Sequence, residues 1–72
     1  METSNKKARG IILKVENNIK RVWFSVDTSD ETKFEECYKR IDEIGEGISD
    51  LRTLVEVVVK EFSANGFERI KM

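Results

Sequence analysis

The sequence predicts an α+β domain: an N-terminal antiparallel β-hairpin followed by two α-helices, in the order ββαα. Residues 67–72 then form either a short closing strand or a tail. Three observations carry this reading. Apolar and polar residues alternate from Arg9 to Asp27, the period of two that a half-buried strand requires. After Asp27 the apolar spacing changes to threes and fours, the mark of helices that bury one face. The run "GEG" at 45–47 then interrupts the helical stretch with two glycines.

Residues 1–8 carry no periodicity and are expected to form a flexible basic arm ahead of one small domain spanning 9–72. In "GIILKVE", Ile11, Leu13 and Val15 fall on one face, and Ile12, Lys14 and Glu16 on the other. Asn17-Asn18 is the expected two-residue turn, because asparagine tolerates positive φ better than any residue but glycine. The return strand "IKRVWFSVD" adds Val22, Phe24 and Val26 to the apolar face. That turn sets Leu13 opposite Val22, Ile11 opposite Phe24, Ile12 opposite Trp23 and Lys14 opposite Arg21. An Ile12–Trp23 pair contributes ~0.2–1 kcal/mol; the like-charged Lys14–Arg21 pair is mildly unfavourable and calls for an acidic group above it.

The first helix opens at "TSDE", with Thr28 or Ser29 as N-cap and a Thr28–Glu31 capping box. Asp30 and Glu31 suit its positive end. It is expected to reach about Ile44 and to bury Phe34, Cys37 or Tyr38, Ile41 and Ile44. Two glycines cost a continuous helix roughly 2 kcal/mol relative to alanine, which favours a break at 45–47. Positions 34, 37, 41, 44, 48, 51, 55, 58 and 62 nevertheless keep one unbroken spacing, which would suit a single long helix in a coiled-coil dimer. Two helices are preferred, because Ser49 or Asp50 can cap a second one running from Asp50 to Ala64 and stopping at Asn65-Gly66.

With 72 residues the chain makes one domain at most. A core that small supplies only ~3–5 kcal/mol net, so a partner or a second copy is expected to add to it. Lys and Arg number 13 against 14 Asp and Glu, which argues against global attraction to nucleic acid or lipid. The distribution is polar, however. Residues 1–26 hold Lys6, Lys7, Arg9, Lys14, Lys20 and Arg21 against Glu2 and Glu16, and acids concentrate from Asp27 to Asp50.

The chain contains no histidine and one cysteine. Ordinary zinc sites and Ser-His or Cys-His nucleophile pairs are thereby excluded. A domain this size also has little room to desolvate a carboxylate, so no catalysis, cofactor or metal is expected. Glu35, Glu36, Asp42, Glu43 and Glu46 read as the water-facing side of the first helix. No apolar run approaches the ~20 residues of a membrane span, and no signal peptide precedes the first strand. The expectation is a soluble cytoplasmic protein in which Cys37 is a small buried apolar group.

Candidate binding residues lie on the hairpin face opposite the core: Lys14, Arg21, Trp23 and Ser25, beside Ile12. An aromatic flanked by cations on an open sheet can stack on a base or receive a partner protein. The alternative is that helices or a dimer mate cover this face and make Trp23 part of the core. Lys6, Lys7 and Arg9 are candidate phosphate contacts or else a solvated terminus.

Residues 20–62, through "KRVWFSVD", "DETKFEECYKRIDEIG" and "GISDLRTLVEVVVKEF", resemble the ribbon-helix-helix family of DNA-binding repressors. The resemblance implies a homodimer whose paired strands enter the major groove of double-stranded DNA. It makes Arg21, Trp23 and Ser25 the readers, and Ser49, at the start of the second helix, a phosphate anchor. The competing reading is a protein-interaction module, a small inhibitor or adaptor, using the Trp23 face or the helix seam.

Overall fold

The computed structural model describes residues 6–70. The chain forms β1 (Lys6–Val15), β2 (Asn18–Asp27), a single 3-10 turn (Thr28–Asp30), α1 (Glu31–Gly45), α2 (Leu51–Ala64) and β3 (Glu68–Ile70). The three strands make one antiparallel sheet in the order β1-β2-β3, with β2 in the middle. The α+β hairpin-and-two-helix architecture is thus as the alternation and spacing predict, and residues 68–70 of the last segment form a strand.

β1 starts at Lys6, so residues 6–8 of the expected arm belong to the sheet; residues 1–5 lie outside the described residues. The turn is one residue earlier than expected. Val15 pairs with Asn18, leaving Glu16-Asn17 as the two central residues, and Glu16 takes the left-handed conformation at φ 56°. Moving a turn by one position shifts every partner by two, which keeps each side chain on its face. The core face therefore survives while the opposing pairs change. Ile11 lies opposite Val22, Arg9 opposite Phe24, Gly10 opposite Trp23, Ile12 opposite Arg21 and Lys14 opposite Ile19. The expected Ile12–Trp23 and Lys14–Arg21 pairs do not form. The observed register separates those two cations and needs no acid above them.

Both helices pack on one face of the sheet. The core they close contains Ile11, Leu13, Val22, Phe24, Val26, Phe34, Cys37, Ile41, Leu54, Val58, Phe62 and Phe67. Its centre is aromatic. Phe24 stacks on Phe62 with ring centroids 4.5 Å apart, and Phe34 meets Phe67 edge-on at 5.4 Å. Such contacts add ~0.5–1.5 kcal/mol each beyond area burial. Cys37 is a buried free thiol, and burial pushes its pKa up.

The helix ends depart from expectation in detail. Neither Thr28 nor Ser29 caps α1: its N-cap is Asp30, which makes no side-chain capping bond, while Asp27 caps the preceding 3-10 turn, its carboxylate accepting from the Ser29 amide at 3.1 Å and the Ser29 hydroxyl at 3.0 Å. No Thr28–Glu31 box forms, because Glu31 turns toward Lys7 and Arg9. The helix does break at the glycines. Asp50 caps α2 by accepting from the Thr53 amide at 3.0 Å. Beyond the break the buried positions are Leu54, Val58 and Phe62, with Leu51 and Val55 half-buried, so the unbroken spacing across 45–47 did not mark a continuous seam. α2 ends as expected. Gly66 takes φ 92°, and the Gly66 and Phe67 amides donate to Ser63 and Phe62 carbonyls in a Schellman arrangement.

Candidate functional site

Alternation along β1 and β2 places every second residue on the sheet face away from the helices. From one end to the other, the rows across this outer face are Lys6–Asp27, Ala8–Ser25–Glu68, Gly10–Trp23–Ile70, Ile12–Arg21 and Lys14–Ile19. Among the described residues no helix or strand lies over it, since α1 and α2 both bury their apolar sides against the other face. Coverage by the chain's own helices is thereby overturned. Trp23 is half-buried and stands apart from the core cluster.

The position of Trp23 has a specific cause. A β-carbon built on Gly10 would lie 3.0 Å from Cε3 and Cζ3 and 3.1 Å from Cδ2 of the indole. Three nearly equal distances mean the ring lies flat across the strand, its inner face against the Gly10 backbone. Glycine is what allows this close approach, and the aromatic covers backbone that a glycine leaves bare. The other face of the ring points away from the sheet. The Arg21 guanidinium lies 5.9 Å from the ring centroid, within cation–π range.

Around this indole the outer face is apolar with a basic margin. Ile12 is 51% exposed and Ile19 64%, the two large hydrophobic side chains in the described chain that are classed as exposed. Ile70 flanks Trp23 on the β3 side, and Lys14 and Arg21 alternate with the isoleucines. Ser25 sits in the next row, between Ala8 and Glu68.

The other expected site residues are elsewhere. Lys7 and Arg9 share the core-side face of β1 and are engaged by α1. Lys7 pairs with Glu31. Arg9 Nη1 and Nη2 reach Glu31 Oε1 at 3.2 Å and Glu35 Oε2 at 2.8 Å, and its guanidinium lies 5.2 Å from the Phe34 ring centroid. The Lys7 hydrogen bond, then the charges of Lys7 and Arg9, hold the Glu31 carboxyl below its ordinary pKa. These two cations fasten the hairpin to α1. Lys6 lies at the far end of the outer face, opposite Asp27.

Ser49 is exposed and precedes the Asp50 cap by one residue. The Asp50 carboxylate, held low by the Thr53 amide and hydroxyl, already occupies that helix terminus and repels a second anion. The structure therefore sets Arg21 against Trp23, with Ser25 and Lys14 on the same face in the rows beyond them, and leaves Lys7, Arg9 and Ser49 apart. The sequence reading missed Gly10 and Ile19. Both were accessible: Ile19 shares the parity of Arg21 and Trp23, and a lone glycine within a strand pattern marks a close approach.

Among the described residues no cluster of carboxylates, thiols or imidazoles is placed to hold a metal ion. Among the same residues no helix is long and apolar enough to cross a membrane. Comparison with protein-family models, with curated proteins and with solved structures finds no match.

Proposed function

We propose that this protein is a non-enzymatic protein-interaction module whose partner docks on the outer face of the sheet. One observation carries the reading: on a face the helices leave open, exposed Ile12 stands in the row next to a flat, half-buried Trp23, and exposed Ile19 in the row after that. Contiguous exposed apolar surface on a small domain marks an interaction site, and tryptophan is enriched among residues that dominate binding energy. The cations Lys14 and Arg21 fix the chemistry of the partner. It presents an apolar patch edged by carboxylates. A reducing, cytoplasmic setting fits the one free thiol, Cys37.

The test is site-specific photo-crosslinking in the native host, from position 19 and, as a control, from the exposed Glu36 position on α1. A discrete adduct with a different protein from position 19, absent from position 36 and lost in Arg21→Glu, supports the proposal. An adduct of twice the chain mass makes the face a homodimer interface instead, which light scattering checks independently.

Recognition of double-stranded DNA is the second reading, favoured by the Arg21 guanidinium beside the Trp23 ring with Lys14 close by. It stands second because a ribbon-type reader pairs strands from two chains. Here β2 is bonded to β1 along ten residues and to β3 at three. Salt-sensitive DNA binding that Arg21→Ala weakens would reverse this order.

A further inference from the structure

A second concave surface lies at the hairpin end of the molecule, between β1 and the last turns of α1. It is a groove of about 230 Å³, lined on the strand side by Ile12, Leu13 and Lys14. Ile12 and Lys14 belong to the outer face and Leu13 to the core face, so a groove that touches all three lies at the edge of the strand. On the helix side Tyr38, Ile41, Asp42 and Gly45 line it at the spacing of one helical stripe, and Glu46 follows. Leu54 of α2 closes it beside Gly45. Residues 1–5 precede Lys6 at the other end of β1, about 26 Å from Lys14 at ~3.3 Å per residue, whereas five residues extend to at most ~18 Å. Residues 71–72 follow β3, on the far side of β2 from β1.

Nothing local asks for glycine at position 45. It does not take positive φ, and a β-carbon there would meet only Leu54 Cδ1, at an ordinary 3.5 Å. Glycine is also less favourable than alanine inside a helix. What the missing side chain does is leave the groove open at its α1 end. The charge there is one-sided. Glu31 and Glu35, early in α1, are paired with Lys7 and Arg9. Asp42, Glu43 and Glu46 make no ion pair among the described residues, and α1 has no basic residue in its last turn. The carbonyl end of the helix adds negative potential of its own. Lys14 projects from the outer face and does not neutralise it.

We propose that this groove seats a leucine-sized side chain of a partner protein, with an arginine two residues along the partner's chain held by Asp42 and Glu46. The groove is smaller than the ~300–1,000 Å³ of a small-molecule pocket and suits side chains of a protein segment. In an extended segment, residues two apart point the same way. The apolar one rests on Ile12, Tyr38 and Ile41 in the space Gly45 leaves, and the guanidinium fork meets the two carboxylates. This chemistry is the reverse of the outer face, where Lys14 and Arg21 call for carboxylates, so the two sites select different segments. Ile19 and Arg21 of a second copy have the same spacing. They sit on the middle strand, however, where Lys14 and Ile12 opposite them keep them out of a groove this narrow.

The probe is an acetylated, amidated Gly-Leu-Ser-Arg-Gly peptide titrated into the isotope-labelled full chain at low salt. Backbone amide shifts confined to residues 12–14, 38–46 and Leu54 are the expected result. Replacing the peptide's arginine by glutamate should weaken binding about tenfold or more. Gly45→Leu, which fills the groove, should abolish the shifts. Asp42→Lys combined with Glu46→Lys changes two exposed side chains where a helix end favours cations, so it should keep the cooperative transition while weakening binding about tenfold. That pair decides the matter if Gly45→Leu does not fold. Undiminished binding to folded Gly45→Leu overturns the location, and equal binding of the glutamate peptide overturns the role of the carboxylates. Groove shifts that grow with protein concentration without peptide would put a second copy there and overturn the foreign partner. An absence of shifts at millimolar peptide overturns the proposal itself. Loss of the position-19 crosslink would leave these results untouched, so the two proposals fail separately.

Discussion

At Gly10 the absence of a side chain determines where Trp23 lies. Any β-carbon there would press on the indole at 3.0 Å. Gly10→Val is therefore expected to lift the ring off the strand, shifting Trp23 emission to the red and destabilising the fold by about 1–2 kcal/mol. Unchanged emission would mean that the ring does not lie on Gly10. Glu16 is the opposite case, a side chain where the backbone prefers none. At φ 56° it occupies the left-handed region, which costs an ordinary L-residue about 1 kcal/mol. Glu16→Gly should stabilise the domain by roughly 0.5 kcal/mol, read from a denaturant midpoint, after the glycine's own entropy cost is deducted. The sequence points to a turn here but not to its centre. Asn17-Asn18 is the better local turn, and the strand pairing chosen by the rest of the sheet overrides it. That pairing puts Trp23 over Gly10 and keeps Lys14 from facing Arg21.

Among elements, the helices were legible because their ends carry chemistry of their own. The Asn65-Gly66 stop, the Asp50 cap and the break at the glycines each follow from a local rule. The core side of α2 was less legible: Leu54, Val55 and Leu51 all fit an apolar stripe, and only packing against the sheet decides that Leu54 is buried. Phe62 joins α2 to the sheet and to α1 through its contacts with Phe24 and Phe34. Phe62→Ala should cost about 3–5 kcal/mol, enough to unfold most of a domain this small at ambient temperature. Circular dichroism would read this as loss of the cooperative transition.

The caps also make stability depend on pH. Asp27 and Asp50 are held low chiefly by backbone amides, and Glu31 by Lys7. A carboxyl whose folded pKa is depressed adds stability above its unfolded pKa and loses it as pH falls through the folded value. The denaturation midpoint should therefore drop between roughly pH 5 and pH 2. Asp50→Asn should flatten part of that fall.

Over the whole molecule, two layers divide the labour. The helix layer uses its apolar sides, with Arg9 and Lys7 clamped to α1, to close the core. The sheet's other face keeps Trp23, Ile12 and Ile19 at the surface. Alternation along two strands made that outer set readable, since parity alone assigns Lys14, Arg21, Trp23 and Ser25 to one side. The same alternation marked the side the helices cover, since Ile11, Leu13, Val22, Phe24 and Val26 make the apolar face and all are in the core. Parity could not foresee that Lys7 and Arg9 would be drawn to Glu31 and Glu35, since those pairs join residues more than twenty positions apart.

The account turns on the outer face being open in the free protein. Acrylamide quenching of Trp23, the chain's one tryptophan, measures this directly when followed over a wide range of protein concentration. An open face predicts emission from a partly exposed indole, readily quenched and unchanged on dilution. Blue-shifted emission that resists acrylamide, or quenching that grows as the protein is diluted, would show the face already covered by another copy of the chain and would contradict the account.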